Sequence, residues 1–150
     1  MQLVEKNKSG EYELVAGTKK DLEKDFNGLK YLKCDGIDTI GKAKNIYTEK
    51  YSDSTKLRVF IPNVITNEST TITLTLCFIG DGHEDVFENF CYYIRNGVHR
   101  YWDTARQRYF DFYIDEEIKV SEEQRKGGTP YLKCDFKLKN IYGETYKVNF

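Results

Sequence analysis

Over residues 71–114 the hydrophobic period changes twice, and few architectures accommodate that. Ile72, Leu74, Leu76 and Phe78 alternate with Thr71, Thr73, Thr75 and Cys77. Period-two alternation marks a strand with one buried face. Val86, Phe87, Phe90, Cys91 and Ile94 then recur as the apolar stripe of an amphipathic helix. Asp81 followed by Glu84 predicts a capping box, and Asn96-Gly97 supplies a left-handed stop, so a helix is expected over residues 84–95. Two aromatic runs follow, His99 to Trp102 and Tyr109 to Ile114, separated by Asp103-Thr104-Ala105-Arg106. Asp at the start of such a segment hydrogen-bonds the backbone ahead of it. A β-hairpin is expected there.

The flanking chain is also rich in strands. Residues 1–28 are weakly patterned and are expected as a flexible or peripheral arm, with a short strand at residues 11–15 and a helical turn at 21–26. Residues 29–34 and 57–61 read as strands, the second stopped by Pro62. Residues 63–69 are turn-like, residues 116–120 would extend the hairpin, and residues 121–130 (SEEQRKGGTP) read as a loop. Residues 131–138 close the pattern, Leu132, Cys134, Phe136 and Leu138 alternating with Lys133, Asp135 and Lys137. Tyr31-Leu32-Lys33-Cys34-Asp35 recurs as Tyr131-Leu132-Lys133-Cys134-Asp135, and Lys44 to Tyr47 as Lys139 to Tyr142. Two equivalent strands of one sheet, or chance in a chain rich in Tyr and Lys, both account for this match. A single domain is expected from 150 residues. Its class is α+β, dominated by antiparallel strands with one principal helix packed on the sheet.

Composition excludes more than it identifies. Twelve Tyr and nine Phe favour strands. The net charge of −1, with acids and bases interspersed, lacks the basic excess of a protein that grips phosphates, so no nucleic-acid partner is expected. No apolar run is long enough to cross a bilayer, and no signal-peptide pattern follows Met1, so no membrane partner is expected. Cys34, Cys77, Cys91 and Cys134 contain no C-x-x-C pair, and small buried thiols are expected, with Cys34 and Cys134 as possible neighbours on paired strands.

Catalytic and metal chemistry finds little support. His83 is expected at an exposed helix start and His99 at the hairpin entrance, and neither carries the signature of a deaminase or nucleophile pair. No phosphate-binding loop is present. Glu116-Glu117 and Glu122-Glu123 read as solvated charge. No catalytic residue, metal or cofactor is therefore assigned. Arg100, Trp102, Arg106 and Arg108 gather near the hairpin tip. Arg, Tyr and Trp are enriched at protein–protein hot spots, so these four are the expected interface residues.

Residues 57–146 resemble the tail-tube and distal-tail family of phage structural proteins, in its prophage-type form. The resemblance rests on Arg58-Val59-Phe60-Ile61-Pro62 and on TLTLCFIG before a helix carrying Phe87 and Phe90. It continues through Gly97 with Tyr101-Trp102-Asp103-Thr104-Ala105-Arg106 to the closing run from Phe136 to Glu144. It implies a β-barrel or sandwich with one flanking helix and no active site. It also implies self-assembly into rings through sheet edges and loops, with other tail proteins as partners, in a virion or the bacterial cytoplasm. The alternative is a β-rich binding module in which the hairpin of residues 99–114 holds a partner or ligand.

Overall fold

The computed structural model describes residues 1–50 and 57–148. In chain order the strands and helices are β1 (Gln2–Lys6), β2 (Tyr12–Leu14), α1 (Leu22–Asp25), β3 (Leu29–Asp35), β4 (Tyr47–Lys50) and β5 (Leu57–Phe60). They continue as β6 (Thr70–Ile79), α2 (His83–Arg95), β7 (Val98–Asp103), β8 (Arg108–Tyr113), β9 (Val120–Gln124), β10 (Tyr131–Asn140) and β11 (Tyr146–Lys147). Among the described residues, nine strands form one sheet, ordered β2-β1-β7-β8-β10-β6-β3, with β11 on β8 and β9 on β10. Every pairing is antiparallel. The class is α+β, as expected.

The sheet is open. It ends on β2 and β3, which do not pair, so the barrel expectation fails. The β3 edge carries features that oppose further pairing. Lys30 and Lys33 are exposed along it, and its register slips between Tyr31 and Lys33. Edge lysines and bulges are common means of blocking a free strand.

The core forms where α2 crosses the longest ladder. β6 and β10 pair over ten residues, from Tyr131 opposite Ile79 to Asn140 opposite Thr70. Ile72, Leu74, Leu76 and Phe78 face the core with Leu132, Cys134, Phe136 and Leu138, all buried. The Phe90 ring of α2 sits 5.1 Å from Phe136, 5.7 Å from Phe78 and 5.1 Å from Phe26 between centroids. Its contacts with Phe136 and Phe26 are edge-to-face, the arrangement aromatic quadrupoles favour. The opposite face is polar, with Thr75 donating to Asp135 Oδ1 at 2.6 Å and Lys137 Nζ donating to Thr73 Oγ1 at 3.2 Å.

The helix start differs from the expected capping box. Gly82, at φ 78°, takes the N-cap position and no side chain caps the helix, so Asp81 lies in the preceding turn. The C-terminal stop is as expected. Gly97 has φ 91°, and a side chain there would press on Leu3 Cδ1 at 3.2 Å. α1 is the expected helical turn, capped by Asp21, whose carboxylate accepts from the Glu23 and Lys24 amides.

Two further expectations change. Residues 1–28 build the sheet edge: β1 pairs with β7, β2 pairs with β1, and Met1 and Val4 are buried. Residues 121–124 belong to β9, paired with β10, where a loop was expected, and the preceding residues 116–119 do not extend the hairpin. The polar character of Ser121 to Gln124 concealed this strand, since three of its residues face solvent. The repeated Tyr-Leu-Lys-Cys-Asp segments lie on β3 and β10, the two neighbours of β6. Cys34 sits opposite Leu74 and Cys134 opposite Leu76, so β6 separates these cysteines.

β4 and β5 form a separate two-stranded ribbon. One main-chain bond ties its base to the turn after β10, and two more close the base itself. Gly41 N donates to Gly143 O at 2.7 Å, Glu68 N to Lys42 O at 2.6 Å, and Lys44 N to Thr66 O at 2.8 Å. Gly143, at φ 65°, brings its Cα so close to the Glu68 carbonyl that a Cβ would collide with that oxygen.

Replacing Phe90 by Ala removes the ring on which these contacts converge. It should lower the unfolding free energy by about 3–5 kcal/mol, read from the urea midpoint of the far-UV circular dichroism transition.

Candidate functional site

The turn of the β7–β8 hairpin is closed by its own side chains. Asp103 Oδ1 accepts from the Arg106 amide at 2.9 Å, and Oδ2 accepts from Arg106 Nη1 at 2.8 Å. Asp103 is buried, and Gln107 completes the turn at φ 53°. Arg106 is thereby committed to the turn, although its side chain remains 40% exposed. Arg108 Nη1 donates to the Thr145 carbonyl at 3.2 Å, tying β8 to the chain before β11.

Arg100 has a stronger internal partner. Its Nε donates to Asp111 Oδ1 at 2.7 Å and its Nη2 to Oδ2 at 3.1 Å, a two-pronged pair across opposed residues of β7 and β8. The Arg100 side chain is 17% exposed and that of Asp111 3%. Donating these hydrogen bonds to Asp111 raises the pKa of the guanidinium further. The guanidinium carbon also lies 4.6 Å from the Tyr109 ring centroid. Around this pair runs a chain of tyrosines, with Tyr109 to Tyr146 at 5.4 Å, Tyr146 to Tyr142 at 6.3 Å and Tyr142 to Tyr12 at 6.3 Å. In the sequence these tyrosines are scattered, and only their high count hinted at a cluster.

The expected interface residues therefore share a hairpin without sharing a task. The three arginines form bonds within the chain. Trp102 is half-buried, its ring 5.5 Å below the Lys19 ammonium. Trp102, Tyr101, Tyr31, Lys19 and Leu14 line a cleft of about 640 Å³ between the hairpin tip and the first residues of the chain.

Both histidines are buried: His99 lies at the hairpin entrance as expected, whereas His83, expected at an exposed helix start, does not reach solvent freely. His99 lies in the core, 4.8 Å from the Tyr93 ring and 5.9 Å from Phe112. Burial lowers its pKa to about 4, aided by the nearby terminal ammonium. His83 is the first residue of α2, its Nδ1 3.0 Å from the Gly80 carbonyl oxygen. The cysteines are free thiols, with Cys34, Cys77 and Cys134 buried. Burial pushes Cys34 and Cys134 up to about 12 and Cys91 up to about 11. At neutral pH they are protonated, and a thiol is a poor nucleophile.

The largest exposed aliphatic group lies elsewhere. Ile40, Ile46, Val59, Ile61, Val64 and Ile65 flank or belong to the β4–β5 ribbon and are between 40% and 76% exposed. Single exposed aliphatics are ordinary, and it is contiguous apolar patches that accompany contact surfaces. Only residues 57–61 hinted at it in the sequence, as an alternating strand. Among the described residues no helix is long and apolar enough to cross a membrane. No family model matches the chain, and no curated protein matches it.

Two outcomes follow from this geometry. Arg100→Ala strands the Asp111 carboxylate and should cost about 3 kcal/mol, measured by urea denaturation, with no change in molecular mass. His99 stays neutral in the fold below the pH at which an unfolded histidine protonates, about 6.5. Stability should therefore fall as the pH drops from that value towards about 4. The full contribution is roughly 3 kcal/mol. His99→Phe should flatten that part of the stability profile.

Proposed function

We propose that the protein is a non-enzymatic structural subunit, of the phage-tail type its sequence resembles, that self-assembles into a ring-like homo-oligomer. One observation carries this reading: the exposed aliphatic residues in and beside the β4–β5 ribbon, which forms a sheet of its own on a pinned base. Burying such side chains against a second copy is worth about 25 cal/mol per Å² of apolar surface, and little in the ribbon's own fold covers them. The lysines and the register slip of β3 oppose growth through that edge, which favours the ribbon as the contact. Other tail proteins would meet the same surface or the loops.

A second reading has its own observation. The cleft beneath Trp102 is concave, lined by aromatic side chains, and large enough for a small ligand or a peptide side chain. It favours a binding module that uses the hairpin.

Light scattering after size exclusion, over a wide range of protein concentration and salt, tests the first reading. The mass should rise with concentration to a discrete multiple of the monomer. Ile61→Lys combined with Ile65→Lys should hold the chain monomeric without lowering its urea midpoint. A wild-type chain that stays monomeric throughout overturns self-assembly. A ligand whose binding is lost in Trp102→Ala would then support the second reading.

A further inference from the structure

His83 is 8% exposed, and its Nε2 is shielded from solvent without a hydrogen-bond partner. Its Nδ1 faces the Gly80 carbonyl oxygen at 3.0 Å. A carbonyl only accepts, so Nδ1 carries the proton and Nε2 keeps a lone pair. A buried lone pair without a donor is costly. One ring nitrogen of His83 and one carboxylate oxygen each from Glu84 and Glu123 lie within 4.8 Å of one another. Arg125 spans the two carboxylates, Nη2 3.4 Å from Glu84 Oε1 and Nε 2.6 Å from Glu123 Oε1. This ion triad accounts for the carboxylates but offers nothing to Nε2.

We propose that His83 Nε2, Glu84 and Glu123 bind a divalent transition-metal cation, which displaces Arg125 and clips the start of α2 to the edge strand β9. The donor set selects the ion class. Imidazole with carboxylates suits zinc and its neighbours, whereas magnesium and calcium prefer oxygen donors alone. Hydrogen bonding of the second ring nitrogen to a main-chain carbonyl is the usual support for a metal-bound histidine, because it fixes the tautomer and the ring. Donors about 2.0–2.2 Å from one ion lie somewhat over 3 Å apart, so the carboxylates must close in slightly. Glu84 and Glu123 are 58% and 30% exposed in their side chains and have room to do so, and Arg125, at 70%, can swing into solvent. Three protein donors leave at least one position for water. The site is independent of the assembly reading. Its two carboxylates and Arg125 line a groove of about 510 Å³ that Cys91 also lines.

Isothermal titration of the metal-stripped full chain with zinc chloride tests the proposal. Saturable binding of one zinc ion per chain is expected, with a rise in the melting temperature at excess zinc. Glu84→Gln and Glu123→Gln lie at the surface and should fold normally. Each should weaken zinc binding by at least about tenfold, the smaller loss typical even of outer-shell partners. Arg125→Gln should tighten binding, and Cys91→Ser should leave it unchanged. The absence of saturable binding overturns the site, as does binding that survives Glu84→Gln with Glu123→Gln or disappears in Cys91→Ser. An Arg125→Gln chain that binds no tighter overturns the displacement.

Discussion

The fold depends on the ten-residue ladder between β6 and β10 and on the single aromatic ring, that of Phe90, seated across it. β10 pairs with β6 along its whole length while its other side serves β9 at one end and β8 at the other. It thus joins the short strands to the hairpin and, through the turn after it, to the base of the ribbon. The polar bonds on the reverse face, such as Thr75 to Asp135, set register; apolar burial on the α2 face supplies the larger driving force.

That division of labour also sorts the charged residues. Arg100 and Asp111 saturate one another behind tyrosines, and Arg106 closes its own turn. Groups committed in this way fix the hairpin's shape and leave little charge to offer a partner. Val59 and the aliphatic side chains flanking the ribbon are in the opposite situation, exposed beside an element whose base is fixed by main-chain bonds and by the close approach of Gly143 to Glu68.

The strand–helix–hairpin unit was legible because its periods are set by burial on one face: Ile72 to Phe78, the helical stripe and the Asn96-Gly97 stop all behave as their pattern predicts. β9 was not legible, because an edge strand with a solvated face needs no apolar alternation. The capping box failed since Gly82, in a left-handed conformation, takes the N-cap position and leaves Asp81 in the preceding turn. Openness of the sheet is invisible in any single strand, as it depends on whether β2 and β3 meet. The burial of His83 was missed because an isolated polar residue carries no period. His83 and Glu123 are forty residues apart in sequence and come together only through the packing of α2 beside β9. Arg100, Arg106 and Arg108 share the hairpin, yet two of the partners that absorb them, Asp111 and Thr145, are set by register rather than by local sequence.

The strand path has a consequence for symmetry. Seven strands, each antiparallel to the next, lie between β2 and β3 inclusive, and an odd number leaves both terminal strands running in the same sense. Copies related by a rotation that preserves strand sense would therefore meet β3 to β2 in parallel, the slightly weaker ladder. Copies related by a two-fold axis through β3 would meet antiparallel, with the Lys30 and Lys33 side chains of one copy brought against those of the other. Parity and charge thus act against a sheet continued through β3 from one subunit to the next, and a contact made through the ribbon is subject to neither.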